Sequence, residues 1–89
     1  MKARPKVEQI ARTKEQIGVA LRSRRRELEM NQATLGARAN LRQATVSSAE
    51  TGDASIRLGT LCDMLAALDL ELVVRPRTKG SEKMFEDLF

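Results

Sequence analysis

Apolar side chains recur along this chain at two spacings, and the change between them divides it. Ile17, Ala20, Leu21 and Leu28 fall at the three-to-four-residue period of a helix with one inward face. Thr13, three residues ahead of Gln16, offers a capping box, so the first helix is expected over about 14–29. Asn31 is a good N-cap for a second helix whose Leu35 and Ala39 face one way, and Asn40 tolerates the left-handed backbone that ends helices. A third helix is expected over about 43–51, with Val46 and Ala49 inward and a stop at Gly52. After a loop at 53–57, Leu58, Leu61, Cys62, Leu65 and Leu68 mark a fourth over about 58–68. Beyond Asp69 the period becomes two: Leu70, Leu72 and Val74 alternate with Glu71, Val73 and Arg75 until Pro76, which reads as a short strand.

These elements divide the chain into a basic lead-in (1–12), a helical domain (13–69), a strand (70–77) and a polar tail (78–89). The 89 residues allow one domain at most. Both aromatic residues, Phe85 and Phe89, lie in the tail, so the core must be aliphatic, which suits an all-α fold. Such a short chain buries a modest share of its surface and is a natural candidate for a partner subunit.

Chemistry is bounded by absences. The chain has no His and one Cys, which removes imidazole catalysis, His-containing metal sites and an internal disulfide. Cys62, within an apolar helical pattern, is expected to be a small buried hydrophobe. With neither an acid–base pair nor a ligand cluster, the expectation is a non-enzyme without cofactor or metal. No stretch suits a membrane span or a leader, which makes the cytoplasm the expected location. Residues 1–59 hold twelve Lys/Arg against six Asp/Glu, whereas 60–89 hold four against six. A basic front suggests a polyanionic partner, although Arg22, Arg24 and Arg26 read as a solvated helix face.

Residues 32–51 carry the sharper signal. Two short helices can cross steeply at a tight turn only where their backbones approach closely and the turn can bend. Gly36 stands at the fifth place of this unit and Asn40 at the ninth. Leu35, Ala39, Leu41, Val46 and Ala49 fill the fourth, eighth, tenth, fifteenth and eighteenth, where packing needs apolar side chains. This register is that of a helix-turn-helix, whose second helix enters the DNA major groove. Gln43 is then the first choice for a base contact, since its amide can bond N6 and N7 of adenine; Thr45 and Ser48 offer hydroxyls. Gln32, Arg38, Arg42, Ser47 and Thr51 are candidates for phosphate.

The runs Met30-Asn31-Gln32-Ala33-Thr34-Leu35-Gly36-Ala37-Arg38-Ala39 and Gln43-Ala44-Thr45-Val46-Ser47-Ser48-Ala49-Glu50-Thr51-Gly52 resemble the lambda-repressor-like, XRE-type family. The resemblance covers about residues 13–69 and implies a four- to five-helix DNA-binding domain. It places base reading on Gln43, Ala44, Thr45 and Ser48, a phosphate contact on Gln32, and a structural ion pair on Arg25 and Glu50. Thr34 departs from a common acidic residue and Ala49 from a larger aliphatic one.

The strand needs backbone partners. It can meet its own copy across a two-fold axis, through Leu70, Leu72, Val73 and Val74, or the segment 6–10 of the same chain. The first is favoured and gives an intermolecular two-stranded sheet, a homodimer and a palindromic operator with half-sites about 34 Å, or a multiple of one turn, apart. A helix-turn-helix followed by Leu68-Asp69-Leu70-Glu71-Leu72-Val73-Val74-Arg75-Pro76-Arg77 also resembles HipB-type antitoxins. That resemblance implies a repressor of its own operon and a HipA-like kinase toxin as partner. Phe85, Leu88 and Phe89 could dock in a partner's groove, the alternative being a disordered tail. A stand-alone phage-type or restriction-controller regulator, and a protein-binding adaptor using the fold as scaffold, are the other readings.

Overall fold

A computed structural model describes residues 8–77 and contains four helices. They are α1 (Lys14–Glu27), α2 (Gln32–Ala39), α3 (Gln43–Glu50) and α4 (Leu58–Ala67). Thr13 caps α1 by accepting from Gln16 N–H at 3.1 Å. The reciprocal bond of the expected capping box is displaced by one residue, because Gln16 Oε1 accepts from the Arg12 amide at 2.6 Å. Asn31 caps α2 through Oδ1, which accepts from Thr34 N–H at 2.7 Å. The caps of α3 and α4 are Arg42 and Arg57, neither with a side-chain bond.

Each helix ends in the same way. The residue two places beyond the helical backbone donates its N–H to a carbonyl five residues earlier: Met30 to Arg25 (3.1 Å), Leu41 to Gly36 (2.7 Å), Asp53 to Ser48 (3.0 Å) and Leu70 to Leu65 (2.8 Å). The residue between is left-handed each time: Glu29 (φ 58°), Asn40 (φ 60°), Gly52 (φ 85°) and Asp69 (φ 57°). These are Schellman closures, which satisfy carbonyls that a helix end leaves open. They stop α1, α3 and α4 one or two residues before the expected ends.

α1 packs on α3, and α2 packs on both α3 and α4. Leu21, Met30, Leu35, Val46, Ala49, Met64 and Leu68 form the core, with Ile17, Leu41, Ile56, Leu61, Leu65 and Leu70 against it. Two expectations fail on α4. Its buried stripe is Met64 and Leu68, flanked by Leu61 and Leu65, so Cys62 is exposed and Leu58 retains 68% of its surface. One residue is 100° of turn, and that rotation carries Cys62 off the inward face. On α1, Leu28 is similarly 37% exposed and Met30 takes the core position beside it.

Among the described residues no strand forms. Leu70 packs against the core, whereas Leu72, Val73 and Val74 are exposed by 59%, 65% and 92%. Glu8 Oε1 lies 3.5 Å from Arg75 Nη1, which brings Glu8 near the 70–77 segment, with no backbone ladder among the described residues. Phe85, Leu88 and Phe89 fall outside the described residues.

Candidate nucleic-acid interface

The turn from α2 to α3 is tight because Gly36 permits it. A Cβ at Gly36 would stand 2.7 Å from the Leu41 carbonyl oxygen, inside any ordinary contact. Asn40 supplies the left-handed residue and Leu41 returns its N–H to Gly36, so three neighbouring residues set the angle at which α3 leaves α2. Val46 and Ala49 anchor α3 inward, at 0% and 6% exposure. Successive residues turn by 100°, so Ala44, Ser48 and Thr51 lie on the side away from Val46, with Thr45 and Ser47 at its two flanks and Gln43 about 60° round from it in the first turn. Gln43, Ala44 and Thr51 are exposed, and Thr45, Ser47 and Ser48 are half-buried. This short face is small and polar.

Around that face the other expected residues divide. Arg38 and Arg42 are exposed, and neither has a hydrogen-bond or ion-pair partner among the described residues. Thr51 spends its hydroxyl proton within α3, donating to the Ser48 carbonyl at 2.9 Å. Its oxygen retains only acceptor capacity, which does not suit phosphate. Gln32 sits at the first turn of α2 and donates one amide N–H to Glu50 Oε1 at 3.1 Å, leaving a second.

Behind the face, α3 is held to α1 by a buried ion pair. Arg25 donates through Nε to Glu50 Oε2 (2.6 Å) and through Nη2 to Oε1 (3.0 Å), and its Nη1 reaches the Met30 carbonyl at 2.7 Å. The side chains are 9% and 3% exposed. Burial penalises the charged Glu50 carboxyl. Hydrogen bonds from Arg25 and Gln32, with the charges of Arg25 and Arg22, outweigh that penalty and hold its pKa below 4.5. The bond to Glu50 raises the Arg25 pKa in turn.

Two residues of this frame were not singled out by sequence. A Cβ at Gly18 would lie 2.5 Å from the Glu50 carbonyl oxygen and 2.9 Å from that of Ala49. Glycine therefore lets α1 approach the last turn of α3 closely enough for Arg25 to grip Glu50. A lone glycine inside a helical pattern was the available signal. Arg24 is not the solvated residue expected: its side chain is 14% exposed, and Nε donates to the Leu68 carbonyl at 3.0 Å while Nη1 meets Glu27 at 2.7 Å. It ties α1 to the end of α4.

No group of His, Cys, Asp and Glu that could hold a metal occurs among the described residues, and none of their helices is long and apolar enough to cross a membrane.

Comparison with known proteins places this geometry in context. The helix-turn-helix family matches residues 21–74. An uncharacterized HTH-type transcriptional regulator, y4dL of Sinorhizobium fredii (strain NBRC 101917 / NGR234), is 41% identical over 63 residues, or 71% of this chain. The match spans 32% of that relative's length. A HipB variant in complex with an O2 20mer superposes with a TM-score of 0.75 at 24% identity, over 81% of this chain and 100% of the other. A chain of a HipA-HipB-O2-O3 complex gives 0.74 at 22% identity, over 80% and 100%. At such identities the likeness to the solved structures is one of fold.

Proposed function

Because this chain belongs to the helix-turn-helix family, we propose that it is a sequence-specific DNA-binding transcriptional repressor that inserts α3 into the major groove. The observation that carries the proposal is the outward side of α3. It is narrow, polar and rigidly backed by the Arg25–Glu50 pair and by Val46, which is 0% exposed. A helix so presented can enter a B-DNA major groove. Gln43, Ala44, Thr45 and Ser48 read base edges. Arg38, Arg42, Ser47 and the second amide N–H of Gln32 take phosphate.

The exposed apolar run Leu72, Val73 and Val74, with Leu70 at its root, is the surface for a second copy. A single edge segment with unpaired backbone and apolar side chains is unfavourable in water. Its pairing in a two-stranded sheet gives a dimer and two recognition helices for a palindromic operator. The finer role is that of an antitoxin that represses its own operon and binds a HipA-like kinase in the cytoplasm. The fold likeness to HipB and the order of parts, helical domain before apolar segment, support it. A stand-alone regulator shares every residue-level feature and differs only in lacking that partner.

Selection of binding sites from random duplexes tests the central claim. A palindromic preference is expected, with affinity that falls steeply with salt as counterions are released. A folded protein with no preference among duplexes at low ionic strength would refute it. Co-purification with a kinase-like neighbour separates the antitoxin from the plain regulator.

A further inference from the structure

Helix α1 carries a stripe that the ion pair does not exhaust. Gly18, Arg22 and Arg25 are spaced by four and three residues, so they share one side of α1. The first rests on the Glu50 carbonyl, with 2.5 Å left for an added Cβ, and the last grips the Glu50 carboxylate at 2.6 Å. Arg22 lies between them along the seam where α1 meets the last turn of α3. Its neighbour toward the core is Leu21, 1% exposed, whereas Arg22 is itself exposed. Arg24 and Arg25 are consumed by bonds within the fold, but Arg22 has no hydrogen-bond or ion-pair partner among the described residues. Its charge acts on the Glu50 carboxyl, as expected of a guanidinium that leans toward the α3 side of α1.

We infer that Arg22 is a phosphate-binding residue of the DNA interface, flanking Gln32 at the edge of the groove that α3 enters. The inference rests on the DNA-binding reading above and adds a residue that composition alone leaves as a solvated arginine. The chemistry fits: Gln32 presents one neutral amide N–H beside Glu50, a weak donor near a carboxylate. A guanidinium with its full set of donors supplies the positive charge that a phosphate needs at this point. Arg26, one turn along α1, is also exposed but lies about 80° of rotation from Gly18 against about 40° for Arg22, farther round from the seam.

The test measures binding by the full chain to a duplex selected from a random pool and to an unrelated duplex, across a salt series. Arg22→Ala should weaken both by a similar factor and reduce the salt slope by about one unit, with site preference retained. Arg22→Lys should recover the slope. Circular dichroism should show an unchanged fold, since the side chain is exposed. An Arg22→Ala protein with wild-type affinity and slope would overturn the inference alone. Equal losses from Arg22→Ala and Arg26→Ala would overturn it too, because only net charge would then be felt. If the unsubstituted protein binds neither duplex, the DNA-binding reading falls and takes this inference with it.

Discussion

Two residues decide whether the recognition surface keeps its shape. The Glu50 carboxylate is 3% exposed and fully engaged by Arg25 and Gln32. Removing one member of a buried pair leaves the other charged and unsolvated, a cost of about 3–5 kcal/mol. Glu50→Gln should therefore lower the denaturant midpoint strongly. Replacing both Arg25 and Glu50 with apolar residues of similar volume should cost less than either single change. The pH dependence follows the same bond. A carboxyl held below its ordinary value of 4.5 contributes stability that is complete above that pH and is lost as the pH falls through the folded value. Acid unfolding monitored by circular dichroism should show this loss below 4.5 in the native chain, and a shallower one in Glu50→Gln. On the outer face the expectation is about specificity. Gln43→Ala should erode preference by about 1–3 kcal/mol at one base pair, whereas Arg42→Ala should weaken all sequences alike. Unchanged preference after Gln43→Ala would show that α3 docks in another register.

At the level of elements, the α2–α3 unit depends on backbone proximity. Gly36→Ala places a methyl 2.7 Å from a carbonyl oxygen that belongs to backbone and cannot swing aside. Overpacking of this kind costs about 1–3 kcal/mol, more than the gain in helix propensity that alanine brings. A urea melt should register the loss, and a variant as stable as the parent would mean that the turn relaxes freely. This unit was also the most legible part of the chain, for a physical reason: Gly36, Asn40, Leu41 and Val46 act on neighbours within ten residues, so their spacing carries the geometry. Gly18, Arg24 and Cys62 were opaque for the opposite reason. The partners of Gly18 and Arg24 are thirty or more residues away, at Glu50 and Leu68. Whether Cys62 faces in or out depends on how α4 rotates against α2. Residues 70–77 alternate like a strand, but alternation describes a surface awaiting a partner and does not make a ladder.

For the molecule as a whole, the apolar segment after α4 is the feature that a monomer explains least. Val74 is 92% exposed and Leu72 59%. Sedimentation or light scattering should find a dimer, and Leu72→Asp should shift it toward monomer while leaving the helical signal intact. A dimer unaffected by the change would move the interface elsewhere, with the exposed Leu58 on α4 as the next surface to vary.

Glu29 occupies a backbone region that suits glycine far better than a residue with a side chain. The parent protein thus carries slack that could be taken up without touching the nucleic-acid face. Glu29→Gly relieves a penalty of about 1 kcal/mol. In a domain of this size that should raise the midpoint of thermal unfolding by about 4–8 °C. Hardened in this way, the fold would give a sturdier background on which weakening substitutions elsewhere could be measured.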